Sequence, residues 1–514
     1  MAYYFSTVFF YLSFSSYRYE YLKKKSVSKN FVHIYTKIKL IVFKKIENHS
    51  FKLSFHKLSL VLIIIFGLLA RAYKMPFVIL YDEAATYLDY CDGGFTSFLK
   101  IWNVNNHLIN TLLMKISIEV FGNGVVALRL PSFMFGVANH VLIYYISKKL
   151  YEKKVALFST FIYSCTPFLI HFESQARGYS IKVTFTLLLF IACFHFLQKP
   201  NKTYVVLISL VSSLGFLTIF SFILPFFGFL IWIGYGLFKQ KIFENILIAN
   251  YIFLIIIYTK FITVFFYTPS IILSNGISSI LKVSRAGNVD VYGSFPGDIP
   301  TFFVNLINML FFNNTLLAVI VFCILIYTIL KEDRLKSLML SHVASAIIIN
   351  VAVSAIFPSR IFIYTIPFII ISMAVFISKL SFPIKRIYSL FLPIFQLLIC
   401  VYFFQNNIFE KYHDGMNNDV INIAKKLKTL VDNPLKSKIL LSVNTGFYKS
   451  FKYYQRIYNL PKVEMYAGKH NSKNKHLVNI DTYIVSFKNN IKKDDSFTKV
   501  FEGEVFEIYK SKSL

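Results

Sequence analysis

Eleven apolar stretches constrain this chain more than any other feature. They run at 56–73, 131–147, 155–171, 179–197, 203–217, 219–237, 245–267, 315–330, 337–357, 361–377 and 387–404. A bilayer core about 30 Å thick takes roughly 20 helical residues to cross. Inside it every backbone N–H and C=O must be paired within its own segment, so runs of this kind have to be helices. Charged residues make up only 16% of the chain and the mean hydropathy is +0.57. A soluble protein of 514 residues would carry far more charge. The expected fold is an α-helical polytopic membrane protein of eleven spans.

The loops between the runs differ in charge. Lys148, Lys149, Lys153 and Lys154 share one, Lys199 and Lys202 the next, and Lys239 and Lys241 the third. Lys331, Arg334 and Lys336 follow, then Lys379, Lys385 and Arg386. The short loops that alternate with these hold only Arg177 and Arg360. The positive-inside rule then puts the N-terminus in the cytoplasm, and an odd span count puts the C-terminus outside. The net charge of +30 is accounted for in the same way, as orientation signal and contact with anionic lipid. Nucleic acid is therefore not an expected partner.

Three pieces outside the spans face the outer side on this topology: 74–130, 268–314 and the tail 405–514. Residues 1–55 read as a basic cytoplasmic lead-in with no cleavable signal, and 2–17 as a candidate extra segment. The membrane domain is 56–404. Within the first loop, Leu108, Leu112, Ile116 and Val120 recur at helical spacing against Asn110, Thr111, Lys115 and Glu119, the pattern of a helix lying in the interface. The tail alternates a helical run, 419–431, with short β-type runs at 438–443, 462–466, 482–487 and 505–509. That pattern predicts a small extracytoplasmic α/β domain. The five cysteines form no CxxC pair, so neither a disulfide framework nor a zinc site is expected.

Chemistry-bearing residues concentrate at the outer ends of the runs. Asp82 and Glu83 follow the first span. Adjacent acids there suit taking a proton from a hydroxyl or orienting a sugar, and they leave room for a divalent cation. Asn105, Asn106 and His107 come next. A second cluster is His171-Phe172-Glu173-Ser174-Gln175-Ala176-Arg177-Gly178-Tyr179-Ser180, in which Arg177 has the planar fork to hold a phosphate. Arg360, after Phe357-Pro358-Ser359, is a second candidate for that contact. His140, Lys182, Lys260 and His342 lie in or near spans and read as packing or snorkelling groups.

The order DEAAT at 82–86, NNH at 105–107, ALRLPS at 127–132 and ARGYS at 176–180 resembles the bacterial membrane glycosyltransferases of the C-type fold. These are similar to the lipid A aminoarabinose transferase and the protein O-mannosyltransferases. Where many relatives have His-Pro-Pro, this chain has Asn106-His107-Leu108. The resemblance implies a polyprenyl-phosphate sugar donor, inversion at the anomeric carbon, and a lipid, glycan or protein acceptor. It also implies a site between the outer loops and the membrane of a bacterial inner membrane. On it Asp82 and Glu83 are catalytic, while Asn106, His107, Glu173, Gln175, Arg177, Tyr179 and Arg360 bind substrate. A secondary transporter or lipid-linked glycan flippase is the alternative. It would need two similar halves and charges near the midplane, and the polar residues instead gather at one interface.

Overall fold

The computed structural model of the chain describes residues 55–94, 96–99, 106–240, 246–273, 315–353, 359–379, 388–405, 415–431, 437–442, 445–465, 481–487, 497–502 and 506–511. The lead-in and its segment at 2–17 lie outside the described residues. So do Asn105, Phe357, Pro358 and 274–314 of the second outer loop.

Each of the eleven apolar runs forms helix over most of its described residues. In chain order the long elements are α1 (Phe55–Lys74), α4 (Val125–Leu150), α5 (Lys153–Cys165) with α6 (Pro167–Glu173), α7 (Tyr179–Gln198), α8 (Lys202–Thr218), α9 (Ile223–Lys239), α10 (Ile246–Leu273), α11 (Thr315–Lys331), α12 (Asp333–Val353), α13 (Ile366–Lys379) and α14 (Tyr388–Gln405). The short α2 (Tyr81–Thr86) and α3 (Leu108–Phe121) lie in the first loop. Among the described residues, seven helices are each long and apolar enough to cross a membrane, and the bent pair α5–α6 makes an eighth. Helices Lys202–Thr218 and Val319–Lys331 are apolar but shorter. The chain is a multi-pass membrane protein.

Two local breaks refine the spans read from sequence. The run 155–171 is not one straight helix: α5 and α6 meet at 65°. Pro167 has no N–H and pushes the residue before it out of the helical region, and Thr166 is extended, with φ −71° and ψ 110°. Helix α4 begins at Val125, six residues ahead of the expected start, and runs through Pro131. A proline there leaves the carbonyl four residues back without its helical donor. Ser117 Oγ supplies one, donating to Ala127 O at 2.6 Å.

Helix α7 is the most enclosed span. It packs against α4, α8, α9 and the 3₁₀ segment Ser359–Thr365. By contrast, Phe253, Phe261 and Phe265 on α10 and Phe322 on α11 are more than half exposed. Large aromatics left bare on apolar helices mark surface that lipid covers.

The tail forms α15 (Gly415–Leu430), α16 (Thr445–Ile457) and strands β1 (Ser437–Ser442), β2 (Lys462–Met465), β3 (Asp481–Phe487), β4 (Phe497–Glu502) and β5 (Phe506–Ser511). The sheet order is β2-β1-β3-β5-β4. Strand β1 is parallel to both β2 and β3, and β5 is antiparallel to β3 and β4. Val420, Ile423 and Leu427 on α15, Ile439 and Leu441 on β1 and Phe451 on α16 are buried together. Each such side chain contributes about 1.5–3 kcal/mol by leaving water. The same apolar cluster continues into Ile79, Ala84, Tyr87 and Cys91 of the first loop and reaches Ala176.

Candidate active site

The two adjacent acids have different surroundings. Glu83 is fully buried. Its carboxylate accepts from Arg129 Nε at 2.8 Å and Nη2 at 2.6 Å, from Ala176 N–H at 2.6 Å and from Leu80 N–H at 2.9 Å. Burial alone would raise its carboxyl pKa, but the Arg129 charge and these hydrogen bonds outweigh burial and hold it below the ordinary value. Arg129 in turn donates to the carbonyls of Lys74, Met75, Phe77 and Val78. The pair therefore ties the end of α1, the start of α2 and the 174–178 loop into one knot.

Asp82 points elsewhere. Its side chain is 34% exposed, and its Oδ2 lies 3.6 Å from Arg177 Nη2. Arg177 is itself buried, and its Nη1 donates to Thr86 Oγ1 at 3.3 Å. Helix α2 thus presents one carboxylate inward as an anchor and the next toward an arginine from the second loop.

His107 sits at the N-terminus of α3 and is almost fully buried. The Gly178 N–H donates to its Nδ1 at 2.9 Å. That fixes Nδ1 as acceptor, so the neutral ring carries its proton on Nε2. Burial and the positive charges of Arg177, Lys182 and Arg360 all push its pKa well below the ordinary value. The Tyr179 ring meets His107 edge-on at 5.9 Å. Gly178 is required by this approach: a Cβ there would come within 3.0 Å of both His107 Nδ1 and Thr218 Cγ2.

Lys182, expected from its position to be a packing or snorkelling group, lies one helical turn into α7 beside this cluster. Its Nζ donates to Ser221 Oγ at 2.9 Å, Ser221 O at 3.2 Å and Ile361 O at 2.8 Å. It lies 5.1 Å from the Tyr364 ring centroid. The lysine therefore staples the backbone next to Arg360 to the start of α7. Arg360 is half-buried.

The remaining candidates are held by the scaffold. Glu173 accepts from Arg71 Nε at 2.6 Å, Asn139 Nδ2 at 2.8 Å and Tyr163 Oη at 2.5 Å. Gln175 Nε2 and His171 Nε2 lie 2.6 Å apart, and His171 Nδ1 meets Lys74 Nζ. Asn106 donates to Phe98 O at 2.7 Å and accepts from Thr111 Oγ1 at 3.0 Å, which shapes the entry to α3. Among the described residues no three His, Cys, Asp or Glu side chains converge to hold a metal ion.

Residues 108–265 match the family model described as dolichyl-phosphate-mannose-protein mannosyltransferase. None of the curated protein sequences matches the chain significantly. Among solved structures, ArnT from Cupriavidus metallidurans bound to undecaprenyl phosphate superposes with a TM-score of 0.54 at 12% identity, over 88% of this chain and 97% of that one. This chain has the C-type membrane glycosyltransferase fold. The apo form of ArnT gives the same figures. The Archaeoglobus fulgidus oligosaccharyltransferase matches at a TM-score of 0.44 and 12% identity, over 85% of this chain and 70% of that one. The family match begins at the first residue of α3 and ends within α10, so it spans His171–Tyr179 and Lys182 but stops short of Asp82 and Arg360.

Proposed function

We propose that this protein is a membrane glycosyltransferase that moves a sugar from a polyprenyl-phosphate carrier to a lipid, glycan or protein acceptor, at the outer face of the membrane and with inversion. The observation that carries this reading is the part-exposed Asp82 carboxylate 3.6 Å from the buried Arg177, which lies on the same loop whose Gly178 N–H holds the His107 ring. Support comes from the fold shared with ArnT, a protein seen bound to undecaprenyl phosphate, and from the match to a dolichyl-phosphate-mannose family model.

Glycosyl transfer passes through an oxocarbenium-like state while negative charge collects on the departing oxygen. Here that oxygen belongs to the carrier phosphate. Arg177 can hold two phosphate oxygens at once through its fork, and Arg360 supplies a second guanidinium. The neutral His107 presents Nε2–H as a donor without adding a further charge to a crowded cationic group. Asp82 takes the acceptor's proton, or orients the group that does. Placed 3.6 Å from Arg177, it keeps base and departing phosphate on one side of the membrane domain. The carrier stays in the bilayer and brings only its phosphate and sugar to the mouth of α7. Glu83, Glu173, Gln175 and Asn106 hold these groups in register from behind, and Tyr179 walls the His107 ring.

The test uses purified protein in lipid vesicles with a panel of polyprenyl-phosphate sugars labelled in the sugar. Time-dependent loss of labelled donor, with label appearing in an acceptor from the same envelope, is the expected result. A transporter or flippase would move intact donor between leaflets and leave the sugar–phosphate bond unbroken.

A further inference from the structure

We propose that the C-terminal α/β domain is a clamp on the acid-bearing loop, with Lys449 and Arg456 of α16 as positioning residues for Asp82. This rests on the proposed assignment of Asp82.

Helix α2 is six residues long, too short to persist alone in water. On its inner side Glu83 fixes it to Arg129. Further tethers come from α16. Before α2, the Ile79 N–H donates to Tyr454 Oη at 3.2 Å. Directly after it, the Tyr87 ring meets the Tyr453 ring edge-on at 5.2 Å. Within the next turn, Lys449 Nζ lies 2.6 Å and 2.9 Å from the two Asp89 oxygens, and Arg456 Nη1 lies 2.5 Å from Asp92 Oδ2. Tyr453 Oη also donates to Asn123 O at 2.7 Å, holding the turn between α3 and α4.

Segment 79–92 is therefore gripped at four points by one helix of the tail domain. Phe451, Tyr453 and Tyr454 are buried in the cluster shared with Ala84 and Tyr87, so the grip joins apolar packing to charge pairing. The clamp pairs do not involve Arg177, Lys182 or Arg360; Arg177 touches Asp82 and Thr86 of the segment, but its backbone is held in the membrane domain, where its O accepts from Ser132 Oγ at 2.9 Å. Loosening the clamp thus moves the acid relative to a donor site that stays in place. Turnover falls and donor binding holds.

The experiment compares full-length wild type, Lys449→Glu/Arg456→Glu, and that variant with Asp89→Lys/Asp92→Lys added. Two readouts are taken: amide hydrogen exchange over 79–92, and kcat and donor KM for transfer. The double variant should exchange about tenfold faster in that segment, since each exposed pair contributes a few-fold and reversal adds repulsion. Its kcat should fall comparably with donor KM within about twofold, and the charge-exchanged variant should recover both. Unchanged exchange over 79–92 in the double variant overturns the clamp, as does a fall in kcat that charge exchange does not rescue. Exchange reads the clamp even where no transfer is found in wild type, so failure of the glycosyltransferase reading is seen separately.

Discussion

Replacing Glu83 by glutamine separates the two acids that follow the first span. The carboxylate faces four donors, two from Arg129 and one each from Ala176 and Leu80, at 2.6–2.9 Å. An amide has one oxygen. Whichever way the new side chain turned, its NH₂ would face donors, and Arg129 would keep its charge with no counter-ion. Arg129 cannot retreat to solvent, because its other N–H groups are bound to four backbone carbonyls. Breaking a buried pair from one side costs about 3–5 kcal/mol. Asp82→Asn removes a partly exposed contact at 3.6 Å, and the cost should be about 1 kcal/mol or less. Thermal unfolding of the purified proteins in detergent checks this. Glu83→Gln should unfold at a much lower temperature than wild type, Asp82→Asn close to it, and Glu83→Gln/Arg129→Met should recover part of the loss. A Glu83→Gln protein as stable as wild type would refute the anchor role and return Glu83 to the chemistry.

Arg177→Lys keeps the charge but loses the fork, and donor affinity or rate should drop about 10- to 150-fold, the loss of a charge-assisted contact of roughly 1.5–3 kcal/mol; titrating donor against initial rate measures it. His107 is neutral when folded and binds a proton at about pH 6.5 when unfolded, so the unfolded state takes up more protons below that value and stability falls as pH drops through it. In His107→Asn, whose side-chain oxygen can still accept from Gly178 N–H, that part of the decline between about pH 8 and about pH 5.5 should vanish from unfolding midpoints. Accessibility tags after Lys153, Lys202 and Lys385 should report the cytoplasm and one after Leu514 the outside; a cytoplasmic C-terminus would change the span count by an odd number.

The membrane class is legible in the sequence because apolar length and loop charge are local properties. The helical tail run and four of the five strands are equally readable. Strand β4 is not, since Phe497–Glu502 alternates weakly; helix α16 falls outside the expected elements although Tyr448, Phe451 and Tyr454 repeat at helical spacing along one side of it. In the site, Asp82, His107 and Arg177 are visible as polar residues at the ends of apolar runs. The distinction between Asp82 and Glu83 is not visible, since it depends on Arg129, which is 46 residues away in the chain. Glu173 finds Arg71 across 102 residues. A usable signal does exist: Arg71 and Arg129 each interrupt an apolar context, and a charge in that setting needs a buried partner. The partners of Lys182 are hidden for a related reason. Position alone makes it a packing or snorkelling group, and only the fold brings the Ser359–Thr365 segment over it.

The central claim is that sugar transfer takes place at Asp82 next to a phosphate held by Arg177. Its most direct test measures donor binding and single-turnover transfer side by side in wild type and Asp82→Asn, using one labelled polyprenyl-phosphate sugar. Donor binding should persist in Asp82→Asn while transfer falls about 100-fold or more, the scale of a general base's contribution. Transfer at the wild-type rate in Asp82→Asn would contradict the account.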